Sequence, residues 1–157
     1  MTVYIGIDWS EAKHDIVFLN EAGAVIAQIQ IPHSLEGFDY LDRTIRDIQL
    51  QKPDCILGLE TADNLIIDFL WARGYHQLYI VPPNMTRGNR SRFRSSGAKS
   101  DPTDAVVIAD SLRTDRGRLQ LWKPDLPLTQ QIRSKVSLIH FLTRESVRTS
   151  NRLRSVL

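Results

Sequence analysis

The chain has 157 residues, 42% of them hydrophobic and 24% charged, enough for one globular domain with a core of its own and a short extension. No apolar run approaches the roughly 18 residues of a membrane span; the opening Met1-Thr2-Val3-Tyr4-Ile5 lacks the basic start and long apolar core of a signal peptide; the single cysteine, Cys55, excludes an internal disulfide and a Cys-based zinc cage. The net charge of +2 hides a division: residues 1–68 carry twelve acids and four Lys/Arg, whereas residues 69–157 carry six acids and sixteen Lys/Arg, which implies an acidic site in one part and a nucleic-acid-binding surface in the other. A reducing, cytoplasmic location is the expectation.

Val3 to Asp8 reads as a first strand, with His14–Leu19 and Ala24–Ile31 as a second and third. Asn20-Glu21-Ala22-Gly23 between the last two predicts a hairpin turn, so the three form an antiparallel meander. In the third, Val25, Ala27, Ile29 and Ile31 alternate with Ile26, Gln28 and Gln30, which predicts one largely buried face. Ser34 is the expected N-cap of an amphipathic helix with Leu35, Phe38, Leu41, Ile45 and Ile48 as its core stripe. Cys55–Leu59 is a short apolar run of the kind found in central strands, and Glu60 stands at its end. Asp63 or Thr61 caps the next helix, which carries Leu65, Ile66, Phe69 and Leu70 and stops at Gly74. Leu78–Val81 is a further strand, closed by Pro82-Pro83.

The predicted class is therefore α/β. The order β-β-β-α-β-α-β is that of an RNase H-like mixed sheet flanked by helices. Residues 84–100 read as an exposed loop, followed by a helix from about Pro102 to Arg113. Pro124 and Pro127 mark a linker, and Leu128–Leu157 reads as one long helix with Leu128, Ile132, Val136, Ile139 and Leu142 as an apolar stripe. The expected division is a domain over 1–125 and a helical extension over 126–157. The chain stops without a capping signal, so it is expected to continue.

Four carboxylates stand out: Asp8, Glu60, Asp101 and Asp104. In this strand order the first and fourth strands are neighbours, so Asp8 and Glu60 leave the sheet at one edge, where open sheets place ligands. Asp101 and Asp104 are three apart at a helix start and share a face. Hard oxygen donors drawn from distant points in the chain suit magnesium, and paired ions can stabilise both oxygens of an in-line phosphoryl displacement. Arg87, Arg90, Arg92, Arg94 and Lys99 lie just before the second pair, with no acid between Asp68 and Asp101. They are candidates to neutralise nucleic-acid phosphates. Each carboxylate also has a structural reading. Asp8-Trp9-Ser10 can be a polar exit from a strand, Glu60 a cap or ion-pair partner, and Asp101-Pro102-Thr103-Asp104 a well-formed helix start.

The remaining chemistry-bearing residues point elsewhere than catalysis. His14, His33, His76 and His140 lack ligand spacing and read as structural or surface residues. Cys55 reads as inert core, and Trp71 and Trp122 as packing anchors. Phe93 can stack on a base or anchor packing. No histidine is placed to activate Ser10, and no Gly-rich phosphate loop is present. Gly-Ile-Asp also opens actin-like ATPases, but those need a second phosphate motif and roughly twice this length.

Gly6-Ile7-Asp8-Trp9-Ser10, Glu60-Thr61-Ala62 and Lys99-Ser100-Asp101-Pro102-Thr103-Asp104-Ala105 together resemble the Asp-Glu-Asp-Asp transposases of the insertion-sequence one-ten family, which includes the Piv and MooV-type DNA invertases. The likeness covers about the first 125 residues, and the long helix resembles the family's coiled-coil linker. The resemblance implies a RuvC-like fold with Asp8, Glu60, Asp101 and Asp104 as a catalytic, Mg2+-binding tetrad, Mn2+ being able to substitute. It implies action on DNA in strand cleavage and exchange, guidance by a structured RNA, and a bacterial or archaeal cytoplasm; the apolar stripe of the last helix separately predicts self-association. It further implies a second domain carrying a serine nucleophile, without which this chain alone does not recombine DNA. Ala62 and Asp63 stand where the family carries Thr and Gly, and Trp9 where a small aliphatic residue is common. The competing readings are a non-catalytic nucleic-acid-binding module and a stand-alone junction-resolvase-like nuclease.

Overall fold

The computed structural model describes residues 1–10, 12–62, 65–94 and 104–156. Strands β1 (Val3–Asp8), β2 (Lys13–Leu19) and β3 (Val25–Pro32) form the expected meander. Asn20 ties the turn between β2 and β3, its Oδ1 accepting from Ala24 N at 2.9 Å. Helix α1 (Leu35–Asp47) is capped by Ser34, whose Oγ accepts from Gly37 N at 3.2 Å, satisfying a donor that the helix itself cannot. Strand β4 (Cys55–Leu59), helix α2 (Leu65–Ala72) and strand β5 (Leu78–Ile80) follow in the predicted order, but Leu65 and Leu35, expected on the core sides of α2 and α1, are exposed in the first turns of those helices. Gly74 turns the chain out of α2 at φ 87°.

Two segments depart from expectation. Residues 84–94 are not loop but two short helices, α3 (Pro83–Asn89) and α4 (Ser91–Arg94). Pro82-Pro83, which reads as a stop, acts as a start, because Pro83 sits where a helix needs no N–H. Thr86 and Asn89 are buried rather than solvated, and Asn89 Nδ2 donates to Ser111 Oγ at 2.8 Å. Polar residues can serve a buried contact when their hydrogen bonds are met. The following helix, α5, is described over Asp104–Asp115. Beyond it a two-residue strand, β6 (Gln120–Leu121), pairs antiparallel with β5, too short for periodicity to announce.

The six strands make one mixed sheet in the order β3-β2-β1-β4-β5-β6. β1 and β4 are parallel and central, as an RNase H-like sheet requires. β3 is one of the two edge strands and is wetter than its alternation suggests: Ile31 is buried, but Val25 and Ile26 are exposed. One sheet face carries the main core, where Val3, Ile5 and Ile7 of β1 join Phe38 and Leu41 of α1 and Ile66 of α2. The other is covered by α5, with smaller clusters built on Val17, Leu19, Ala105 and Ala109 and on Ile56, Val81, Ile108 and Leu112. At the margin of the main core, buried Asp42 accepts from Tyr75 Oη at 2.7 Å and Arg73 Nη1 at 3.2 Å. Trp71 meets Trp122 edge-on at 5.5 Å between ring centres, and both act as packing anchors.

The chain divides into two units, Met1–Lys123 and Pro124–Leu157. The second is helix α6 (Pro127–Val156), on which Leu128, Ile132, Val136, Ile139 and Leu142 are all exposed. Among the described residues, no helix is long and apolar enough to cross a membrane.

α5 approaches the sheet unusually closely. Gly6 of β1 and Gly58 of β4 are register partners. A Cβ on Gly6 would stand 2.0 Å from the carbonyl oxygen of Ala105 and 2.6 Å from Ala109 N. A Cβ on Gly58 would stand 2.9 Å from Leu112 Cδ1. At Gly6 the obstacle is helix backbone, which no rotamer change can move aside. Gly6→Ala should therefore cost about 3 kcal/mol and lower Tm by roughly 10 °C, read by thermal denaturation. An unchanged Tm would show that α5 does not rest on this rung.

His14 lies on the main-core side, fully buried, with its Nε2 2.9 Å from His33 Nδ1. The pair packs with Trp9 and Phe38. Burial, and then the neighbouring His33, lower the His14 pKa from 6.5 to about 4. The unfolded chain takes up this proton near 6.5 and the folded chain only near 4, so the unfolded state binds more protons in between. The contribution of His14 to stability is thus full above pH 6.5 and lost as pH falls toward 4, a change on the order of 3 kcal/mol. His14→Leu should remove that dependence. The stability difference between wild type and variant, measured in urea across this window, should shift by that amount; a constant difference would contradict a buried neutral His14.

Candidate functional site

Asp8 ends β1, and Glu60 is the residue just after β4. The parallel register pairs Ile7 with Leu59, so Asp8 and Glu60 fall on the next rung at the same end of the sheet. Side chains alternate along a strand, so both share the face of Gly6 and Gly58, the face covered by α5. Asp104 opens α5 immediately before Ala105, whose carbonyl meets Gly6. The glycine rung therefore brings the first turn of α5 down beside the ends of both strands. Three of the four expected carboxylates gather there from positions far apart in sequence.

The electrostatics register this gathering. Burial, and then the charges of Asp104, Glu60 and Asp15, push the Asp8 carboxyl up from 3.8 to about 6, opposed by Arg90. Like charges held together in a partly desolvated site disfavour ionisation. Even so, among the described residues no three His, Cys, Asp or Glu side chains are arranged as a ready metal cage. Asp104 is instead turned to an arginine: Arg90 Nε donates to its Oδ1 at 2.9 Å, and Arg90 Nη2 bonds the same oxygen. Asp101, the fourth expected carboxylate, lies outside the described residues, as do Lys99 and Asp63.

The basic residues separate into distinct settings. Arg90 is at the carboxylate end. Arg87 lies exposed in the last turn of α3. Arg92 Nη1 reaches Asp115 Oδ2 at 3.0 Å and Thr114 Oγ1 at 2.8 Å. Those partners are at the far end of α5, roughly 16 Å from Asp104 at helical rise. Arg94 belongs to α4, and its side chain is outside the described set. Ser10 is tied down locally, its Oγ bonding the Lys13 carbonyl and accepting from Lys13 N at 3.2 Å. Cys55 is buried, its thiol pushed up to about 12 by desolvation, and so is inert core as expected.

Two site features were not legible in the sequence reading. Asp15 of β2 is the register partner of Asp8 and bears on its charge, with Asp15 Oδ1 accepting from Gln30 Nε2 at 2.7 Å. The antiparallel register, not a motif, puts it there. The Gly58 contact was also missed, although a signal for it exists: Gly6-Ile7-Asp8 and Gly58-Leu59-Glu60 repeat a glycine two residues before an acid.

Comparison with known proteins gives the site its context. The sequence model of the IS110-type DEDD family, described as "Transposase", matches residues 5–157. The chain is 27% identical over 162 residues to "Mini-circle putative transposase for IS117" of Streptomyces coelicolor, covering 100% of this chain and 38% of that protein. It is 28% identical over 156 residues to "Putative transposase y4uE" of Sinorhizobium fredii, covering 98% of this chain and 43% of the relative. The chain thus spans about two fifths of the length of these relatives.

Removing one neighbouring charge should relax Asp8. In Asp104→Asn the Asp8 pKa should fall from about 6 toward its ordinary 3.8, remaining above it because burial is the larger cause. Carboxyl carbon NMR titration reads this directly. An unmoved Asp8 value would mean that Asp104 is not held at the ends of β1 and β4.

Proposed function

The chain belongs to the DEDD transposase family of IS110 type, and from that membership we propose that it is the metal-holding part of a composite site for DNA strand cleavage and exchange. The observation that carries the reading is the convergence of Asp8, Glu60 and Asp104 at one end of the sheet under α5. Their hard oxygen donors fit magnesium, with manganese as a substitute. Asp8, Glu60 and Asp104, joined by Asp101, would hold it. When bound, the ion supplies Lewis-acid stabilisation of charge on the phosphate oxygens. The raised Asp8 pKa supports the fit, since a cation offsets the repulsion that burial intensifies.

The protein's own groups divide the remaining work. Arg87 and Arg90, with Arg94 and Lys99 of the same basic run, would neutralise backbone phosphates of DNA and of a structured guide RNA. Ser10 closes the turn after β1, its hydroxyl bonded to the Lys13 backbone, which suits a structural role. In keeping with the family resemblance, the nucleophile of a serine-dependent exchange would come from a second domain. The exposed apolar stripe of α6 suits association with a second copy, which would remove Leu128, Ile132, Val136, Ile139 and Leu142 from water.

A non-catalytic nucleic-acid-binding module is the second reading, favoured by the Arg90–Asp104 pair, which by itself looks like an ordinary ion pair. Glu60→Gln separates the two. It keeps the side-chain shape and removes one charge, so the fold should persist while magnesium uptake weakens and strand transfer by the full-length protein is abolished. Calorimetric magnesium titration and a donor–target strand-transfer assay read the two effects. Wild-type strand transfer in Glu60→Gln would refute the metal-dependent reading.

A further inference from the structure

We propose that Arg90 is a latch on the carboxylate site: it holds Asp104 as a built-in counter-cation in the metal-free protein, and passes to a nucleic-acid phosphate when a divalent cation takes its place. The inference rests on the metal-holding reading above.

The geometry has two parts, a fixed base and a movable head. The base is the Arg90 backbone. Its N–H donates to Thr86 O at 3.1 Å, closing the end of α3. α3 is fastened to α5 by the buried bond from Asn89 Nδ2 to Ser111 Oγ at 2.8 Å. The Arg90 backbone is thereby tied to the helix that carries Asp104. The head is the guanidinium. Its Nε and Nη2 both address Asp104 Oδ1, yet the side chain is 46% exposed and has solvent to move into. An arginine cannot shed its charge at any ordinary pH. It is thus a permanent competitor for an oxygen that a metal would need.

The strength of the pair sets its role. A buried, fully desolvated pair would exclude the ion. A partly exposed one is screened, and its effect on an equilibrium is a few-fold. A divalent cation drawing on several carboxylates exceeds that, so the arginine is displaced. Once displaced, it stands on a short tether beside the site, in the last part of a segment otherwise rich in Arg and free of acids. A phosphate brought to the carboxylate end is the anion it would meet. Arg92 differs in reaching Asp110, Thr114 and Asp115, all in the second half of α5.

The test compares wild type, Arg90→Gln and Arg118→Gln by calorimetric magnesium titration. Arg118 is exposed and lies past the far end of α5, so its replacement removes the same charge without touching Asp104. Arg90→Gln should bind magnesium about three- to fivefold more tightly, with Arg118→Gln matching wild type. If wild type takes up magnesium and Arg90→Gln is no tighter, the latch is wrong and the metal-holding reading stands. If wild type takes up none at millimolar magnesium, both fall. A second measurement follows the other half of the cycle. Binding of a DNA duplex should lose about one unit of salt slope in Arg90→Gln with magnesium present, and none in chelator. Equal slopes for wild type and variant in magnesium overturn the transfer to phosphate.

Discussion

The carbonyl of Ala105 occupies the space where a side chain on Gly6 would stand, and Leu112 crowds Gly58 on the next strand. Helix α5 can lie this close only because one rung of the sheet, on two neighbouring parallel strands, carries no side chains. Everything at the candidate site follows from that approach. It sets the height of α5 above the sheet, and hence where its first residue, Asp104, comes to rest. It also explains why the small residues Ala105 and Ala109 face the strands. A larger residue on either strand would lift the helix and separate Asp104 from Asp8 and Glu60.

The same approach creates an electrostatic difficulty. Three carboxylates with a fourth, Asp15, across the β1–β2 pair repel one another in a site where Asp8 is partly buried. The folded chain meets this in two ways. Asp8 holds its proton to a higher pH than an ordinary aspartate, and Arg90 covers Asp104. Both are adjustments that a bound cation would reverse, because a cation favours the ionised carboxylates and replaces the guanidinium.

The sequence made the sheet readable because its strands are apolar, β-branched and separated by clear turn chemistry. Asp8 and Glu60 could be placed together from strand order alone, since β1 and β4 had to be neighbours. Asp104 could be placed at a helix start from its Asp-Pro-Thr-Asp setting. What periodicity could not reveal was the α3–α4 segment. Asn84, Gly88, Asn89 and Ser91 are loop-like in composition, but Asn89 is buried through a specific hydrogen bond to Ser111 of α5, and Thr86 is buried with its hydroxyl bonded back to the Pro82 carbonyl. Composition reports the average fate of a residue type, whereas a satisfied polar contact depends on a partner more than twenty residues away. Asp15 was hidden for a related reason: its importance comes from its register against Asp8, and single-strand patterning contains no register. The pairing of His14 with His33 is likewise a product of the meander and of the start of α1, not of spacing.

The two faces of the sheet have different tasks. The α1 and α2 face holds the large continuous core, including Ile5, Phe38, Leu41 and Ile66, together with the buried His14. The α5 face holds two smaller clusters and ends in charge. Concentrating apolar burial on one face lets the other carry repelling carboxylates and a partly exposed arginine without threatening the fold, because the net stability of a domain is only about 5–15 kcal/mol. It also lets the sites vary independently. A change in the arginine or in a carboxylate perturbs charge near the end of α5, while the strands that aim Asp8 and Glu60 stay anchored from behind. The glycine rung is the exception, since it belongs to both tasks: it is where the stable face's strands dictate the position of the helix on the other side. Gly6 and Gly58 thus connect stability to chemistry, although neither has a side chain.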